Sequence, residues 1–269
     1  RSEVTVVGAG KAVVPMAASL VGLLPDGVTA RGHVVTKHGH TPAEGVAGGV
    51  VAGSEVTVGE GAHPVPDAAC VDNAERVLQT VRDAPADGLV VVLITGGGSS
   101  LLTLPADGIP LEDYQAVTQL LLDAGATIQE LNAVRKHMSA VVGGRLAAAC
   151  THTRVLTLVL SDVVGDPVDG IASGPTVGDE STFGDCRRVF SRYGLLERLP
   201  ASVASHMDAA ADETPKPGSP DLLRHVGVEM VGSNRLAVRA AAEAAAGLGY
   251  SVCVLSTCVE GEAREVAKV

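Results

Sequence analysis

The chain has 269 residues, 46% hydrophobic and 19% charged, with a mean hydropathy of +0.29, which is the profile of a folded protein with room for one large domain or two smaller ones. A net charge of -11 and an aromatic content of 2% argue against nucleic acid or an anionic membrane as partner. No apolar run is long enough to span a bilayer, the first residues enter a strand pattern without a signal peptide, and five scattered Cys lack CxxC spacing, so the expected location is the cytoplasm and neither disulfides nor zinc are expected.

In chain order, VTVV (4–7) predicts a first strand, and GAGKA (8–12) the turn into a helix from about Lys11. Glycines in such a turn let the backbone approach an anion. The segment fails as a dinucleotide fingerprint, because Val13 stands where the third glycine belongs and HVVTKHG (33–39) brings no acid to the end of the next strand. It also fails as a Walker A loop, since Ala12 follows Lys11. Lys11 is therefore a cation at a helix N-terminus, a poor place for it unless an anion binds there too; a solvated lysine on a tight turn is the plain alternative.

EGAHPVPD (60–67) is braced by two prolines, with Asp67 as a helix cap and His63 as a ligand or hydrogen-bond donor, or equally a structural turn. LVVVLI (89–94) is the most hydrophobic strand and runs into TGGGSS (95–100). There Gly96, Gly97 and Gly98 can form a concave nest of amides for phosphate, to which Ser99 and Ser100 add hydroxyls.

NAVRKHMS (132–139) predicts a helix on which Arg135, Lys136 and His137 point about 100° apart, so that at most one or two share a face. RVLTLVL (154–160) leads into SDVVGD, where Asp162 and Asp166 offer magnesium two carboxylates beside phosphate oxygens, or simply form a turn. SGPT (173–176) adds a further turn with Ser173 and Gly174. DETPKPGSP (212–220) reads as a linker, and VEMV (228–231), GSN and an Ala-rich helix through Ala246 begin another unit.

Strands that are continuous apolar runs are buried on both faces, so the expected fold is α/β, a doubly wound, mainly parallel sheet with helices on both faces. The expected division is a Rossmann-like domain over 1–211, the linker, and the incomplete start of a second α/β domain over 221–269. Glycine with a polar residue at every strand end would form one ligand-binding rim. GxSxG and HExxH are both absent, which excludes those hydrolase signatures.

The ordered series GAGKAxxxMA, EGAHPVPD, LITGGGSSLL, LNAVRKHMSAVVGGRLA, LSDVVGDPVDGIASGPT and GSNRLA resembles the class II glycerate 2-kinase family, called hydroxypyruvate reductase in places. The C-terminal half of its members is the MOFRL domain. The resemblance spans essentially the whole chain and implies Mg²⁺- and ATP-dependent phosphorylation of D-glycerate to 2-phosphoglycerate between two α/β domains. It also implies an upstream helical segment and a longer C-terminal part than these residues hold.

On that reading Lys11 and Arg135 meet anionic groups in catalysis, Gly10, His63 and Asn132 contact substrate, and Gly96 to Ser100 with Ser173 and Gly174 hold phosphates. Asp162 and Asp166 would hold Mg²⁺. The family pattern SxxKGG has a lysine where this chain has Val142. Partners would be D-glycerate and ATP, with a homodimer left open. An NAD(P)H-dependent hydroxypyruvate reductase and a non-catalytic nucleotide-binding fragment are the alternative readings.

Overall fold

A computed structural model describes residues 2–150, 152–223 and 225–268. The strands are β1 Ser2–Ala9, β2 Val28–Lys37, the two-residue β3 Val46–Ala47 and β4 Val50–Val51, β5 Glu55–Gly61, β6 Leu89–Thr95, β7 Arg154–Leu160 and β8 Val226–Gly232. The helices are α1 Val13–Leu23, α2 Ala68–Arg82, α3 Gly98–Leu101, α4 Leu111–Asp123, α5 Ile128–His137, α6 Arg145–Ala148, α7 Phe183–Arg192, α8 Ala201–Ala209, α9 Pro220–Leu223, α10 Asn234–Gly247 and α11 Ala263–Val266. No helix among the described residues is long and apolar enough to cross a membrane.

Among the described residues the strands make one sheet of order β3-β4-β5-β2-β1-β6-β7-β8. From β5 to β8 every pairing is parallel, and the β3–β4 and β4–β5 pairings at the other edge are antiparallel. The chain winds outward from β1 in one direction through β2 and β5, then in the other through β6, β7 and β8. The switch therefore lies between β1 and β6, where open α/β sheets bind ligands beyond the carboxyl ends of the strands.

Alternate residues of the central strands serve opposite faces, as the period of two demands. Val7, Val90, Val92 and Ile94 pack with Cys70, Ala74 and Val77 of α2. Val4, Val6, Val91 and Leu93 pack with Val13, Val14 and Ala17 of α1. A third core, built from Tyr114, Val134, Phe190 and Val203, joins α4, α5, α7 and α8. Val142, at the family's lysine position, is 3% exposed and belongs to the α2-side core.

The segment expected as a linker does not separate two bodies. Thr214 is buried, its hydroxyl donates to Asp179, and β8 beyond it pairs with β7 as the last parallel strand of the same sheet. The strand predicted to open a second domain instead completes the first sheet, because β7 presents an unpaired parallel edge that its backbone can satisfy.

Candidate active site

At the switch point the backbone sets the geometry. The Lys11 amide donates to the Gly96 carbonyl at 2.9 Å and the Gly10 amide to the Val35 carbonyl at 3.0 Å, which stitches β1 to both neighbours. Gly10 has φ +139°, and a Cβ there would lie 2.3 Å from a Thr95 methyl. Gly97, in the left-handed region at φ 89°, turns the chain into α3. Among the described residues the amides of Gly97, Gly98 and Ser99 donate to no backbone carbonyl, as expected of a helix start.

Side chains converge on this turn. The position a Cβ would take on Gly97 lies 3.2 Å from the His63 ring and 3.3 Å from the Lys11 side chain. At Gly96 the corresponding position overlaps the Asp162 carboxylate, so that carboxylate lies directly against the glycine. Burial, then the charges of Lys11 and Lys37, push His63 below the usual imidazole range, while Asp162 pulls the other way. His63 is thus a neutral ring among unlike charges near pH 7.

The segment bearing His63 is fixed from both sides. Glu60 accepts from the Gly39 amide and from the Thr41 amide and hydroxyl. Asp67 caps α2 through the Cys70 amide and bonds to His38. The Ser100 hydroxyl donates to the Pro64 carbonyl at 2.6 Å.

Beside the glycine turn lies a cavity of about 470 Å³, walled by α5, the 162–172 loop and the 179–181 segment. Asn132 and Lys136, one turn apart on α5, both line it. A capping box between Thr127 and Glu130 fixes where α5 starts. Lys136 is 4% exposed and donates to Asp179 at 3.2 Å, with Asp169 at 3.6 Å. Asp179 also accepts from the Ser181 amide and hydroxyl and from Thr214.

Behind Lys136, fully buried His137 bonds to the Ala133 carbonyl and to Glu213, and packs edge-on against Phe183 at 4.7 Å. Burial works against ionising Glu213, but hydrogen bonds led by His137 outweigh it and hold the carboxyl at about 2. Ala172, Ser173 and Gly174 are three successive left-handed residues, at φ 50°, 57° and 59°. For the two non-glycines this costs on the order of 1–2 kcal/mol each. The turn is held by amides of Gly143 and Gly144 donating to the carbonyls of Ser173 and Gly174, and it sets the Ser173 hydroxyl between Ser99 at 3.2 Å and Asn132 at 3.4 Å.

Of the residues singled out in the sequence, Gly96, Gly97, Ser99, Asn132, Arg135 and Asp162 line the cavity. Lys11 and His63 border Gly97, Ser173 bridges Ser99 and Asn132, and Gly98 packs against Ala172. Gly10 and Gly174 act through the backbone. Two placements differ from expectation: the Ser100 hydroxyl is committed to Pro64, and Asp166 does not line the cavity but sits at φ 53° in a turn closed by its amide on Val163.

Lys136, Asp169, Asp179, Ser181 and Glu260 line the cavity and were not singled out. For Lys136 a signal existed, the i, i+4 spacing from Asn132. For Asp169 and Asp179 none did, because the lysine they meet is distant in the chain.

Residues 1–208 match the family described as "Domain of unknown function (DUF4147)". A glycerate kinase of Bos taurus is 41% identical over 273 residues, covering 100% of this chain and 51% of that protein. The chain belongs to the glycerate kinase family. Another relative, the glycerate 2-kinase of Pyrococcus horikoshii, is 37% identical over 98% of the chain and 57% of its own length. An Agrobacterium vitis protein named "Putative hydroxypyruvate reductase" is 42% identical over 100% of the chain and 58% of its own length. The crystal structure of a glycerate kinase from Thermotoga maritima superposes with a TM-score of 0.82 at 36% identity, covering 95% of this chain and 57% of that one. The chain thus spans little more than half the length of these glycerate kinase family members.

Proposed function

We propose that the chain carries the phosphoryl-transfer site of an ATP- and Mg²⁺-dependent kinase that converts D-glycerate to 2-phosphoglycerate in the cytoplasm. The observation that carries this reading is the turn at Gly96–Ser99, with unpaired amides along it, Lys11 at one glycine and the Asp162 carboxylate at the next. Phosphoryl transfer asks the protein mainly for positioning and charge neutralisation, and these groups supply both.

In this reading the amides of Gly97, Gly98 and Ser99 take phosphate oxygens of ATP, and the Lys11 ammonium neutralises the transferring group. Arg135, on the cavity wall, is a second anion contact. Among the described residues no cluster of three or more His, Cys, Asp or Glu would hold a metal by itself. The exposed Asp162 carboxylate beside the glycine turn is nonetheless a fitting donor for Mg²⁺, which usually keeps several waters and binds one or two carboxylates plus substrate phosphates. An ion held there would supply charge neutralisation for the phosphate groups. Asp166, outside the cavity lining, is left with its turn.

The reductase reading has Val13 against it, fully buried at the position of the third fingerprint glycine, and a β2 that ends Thr36-Lys37 with no ribose-binding acid. A phosphorus NMR time course of the chain with Mg-ATP and D-glycerate tests the proposal. The expected result is 2-phosphoglycerate with ADP. Neither product nor perturbed ATP lines, with NADH consumed on adding hydroxypyruvate, would overturn it.

A further inference from the structure

The cavity beside the glycine turn is lined by five acidic side chains, Asp162, Asp169, Asp179, Glu180 and Glu260, a poor environment for a carboxylate substrate unless one cation is reserved for it. Lys136 has the properties of that cation. It is buried, yet among the described residues only one of its three N–H donors has a hydrogen bond at good distance, to Asp179; the exposed Asp169 carboxylate stands at 3.6 Å. Asp179 does not need the lysine for satisfaction, because the Ser181 amide, the Ser181 hydroxyl and the Thr214 hydroxyl already donate to it. A buried ammonium kept with spare donors towards a cavity is costly unless something else completes its shell.

Asn132 stands one turn earlier on the same helix and also lines the cavity. Its side-chain oxygen faces the Ser173 hydroxyl, and its NH₂ group donates to no acceptor among the described residues. An ammonium and an amide NH₂ one turn apart match a carboxylate with a neighbouring hydroxyl.

We infer that Lys136 and Asn132 form the carboxylate subsite for a small 2-hydroxy acid, with Asp169 as the anion that the substrate carboxylate displaces from Lys136. This rests on the kinase reading above and sharpens it, since Lys11 is then left to the phosphoryl group. Asp179, Ser181 and Thr214 act through Lys136 as positioning residues.

Titration calorimetry of D-glycerate, of its uncharged amide and of Mg-ATP into the whole chain tests the inference. Lys136→Met should weaken D-glycerate about tenfold or more, in keeping with loss of a hydrogen bond to a charged group. It should leave the amide and Mg-ATP unchanged. Asp169→Asn, at an exposed position and safe for folding, should tighten D-glycerate several-fold by removing the competitor. If the wild type binds D-glycerate and Asp169→Asn or a folded Lys136→Met binds it equally well, the subsite is wrong and the kinase reading stands. A wild type that binds Mg-ATP but no D-glycerate overturns the proposed acceptor, and the subsite with it.

Discussion

The two sides of the cavity are made by different means. The rim at the ends of β1 and β6 is backbone, with glycines whose missing Cβ atoms let strand ends, Lys11, His63 and Asp162 close in on a few amides that, among the described residues, donate to no backbone carbonyl. The other wall is side chain, with Lys136 and Asp179 backed by Thr214, His137 and Glu213 through contacts that cross from α5 to the segment after α8. A backbone site tolerates little change at its glycines and much around them. In the side-chain wall every member depends on partners far along the chain, so damage spreads.

The largest effect is expected from His137→Ala, which empties a fully buried position and leaves Glu213 without its main partner. A loss of about 3 kcal/mol in urea unfolding is expected, with D-glycerate binding lost and the rim's ATP contacts retained in the folded fraction. Gly97→Ala tests the reverse. A Cβ at φ 89° costs about 1–2 kcal/mol and pushes on His63 and Lys11, so Mg-ATP binding should fail while D-glycerate still binds.

Acid should act on the wall before the rim. Glu213 titrates at about 2 in the fold against an ordinary 4.5, so its stabilising contribution is complete above 4.5 and is lost as pH falls from there towards 2. Denaturation followed across that window should show a slope that Glu213→Gln flattens. The smallest effect belongs to Arg192→Ala, which removes a 70% exposed partner of Glu130. Less than about 1 kcal/mol is expected by thermal denaturation, with both ligands unaffected.

The same contrast explains what the sequence made legible. The runs at 4–7, 89–94, 154–160 and 228–231 are parts of β1, β6, β7 and β8; the first two are buried on both faces, whereas β7 and β8, towards the sheet edge, alternate in burial. GAGK and TGGGSS stood out because a backbone site leaves its mark in consecutive residues. The wall left none. Asp179 reads as one more acid, and the 212–220 prolines read as a spacer, whereas Glu213 is tied to His137 of α5 and Thr214 to Asp179 by bonds that no local pattern announces. Ser100, next to the glycine turn in sequence, spends its hydroxyl on the Pro64 carbonyl, a partner that closeness in sequence does not announce.

The place of β8 in the sheet also bears on how the molecule assembles. Val155 pairs with Val226 only after the chain has passed through α7, α8 and the Glu213–Thr214 segment. Pairings this remote are slow to form, because loop closure must come before any contact rewards it. The cavity wall should therefore mature with the last strand to dock, and the protection of β8 amides against hydrogen exchange should track the affinity for the acceptor.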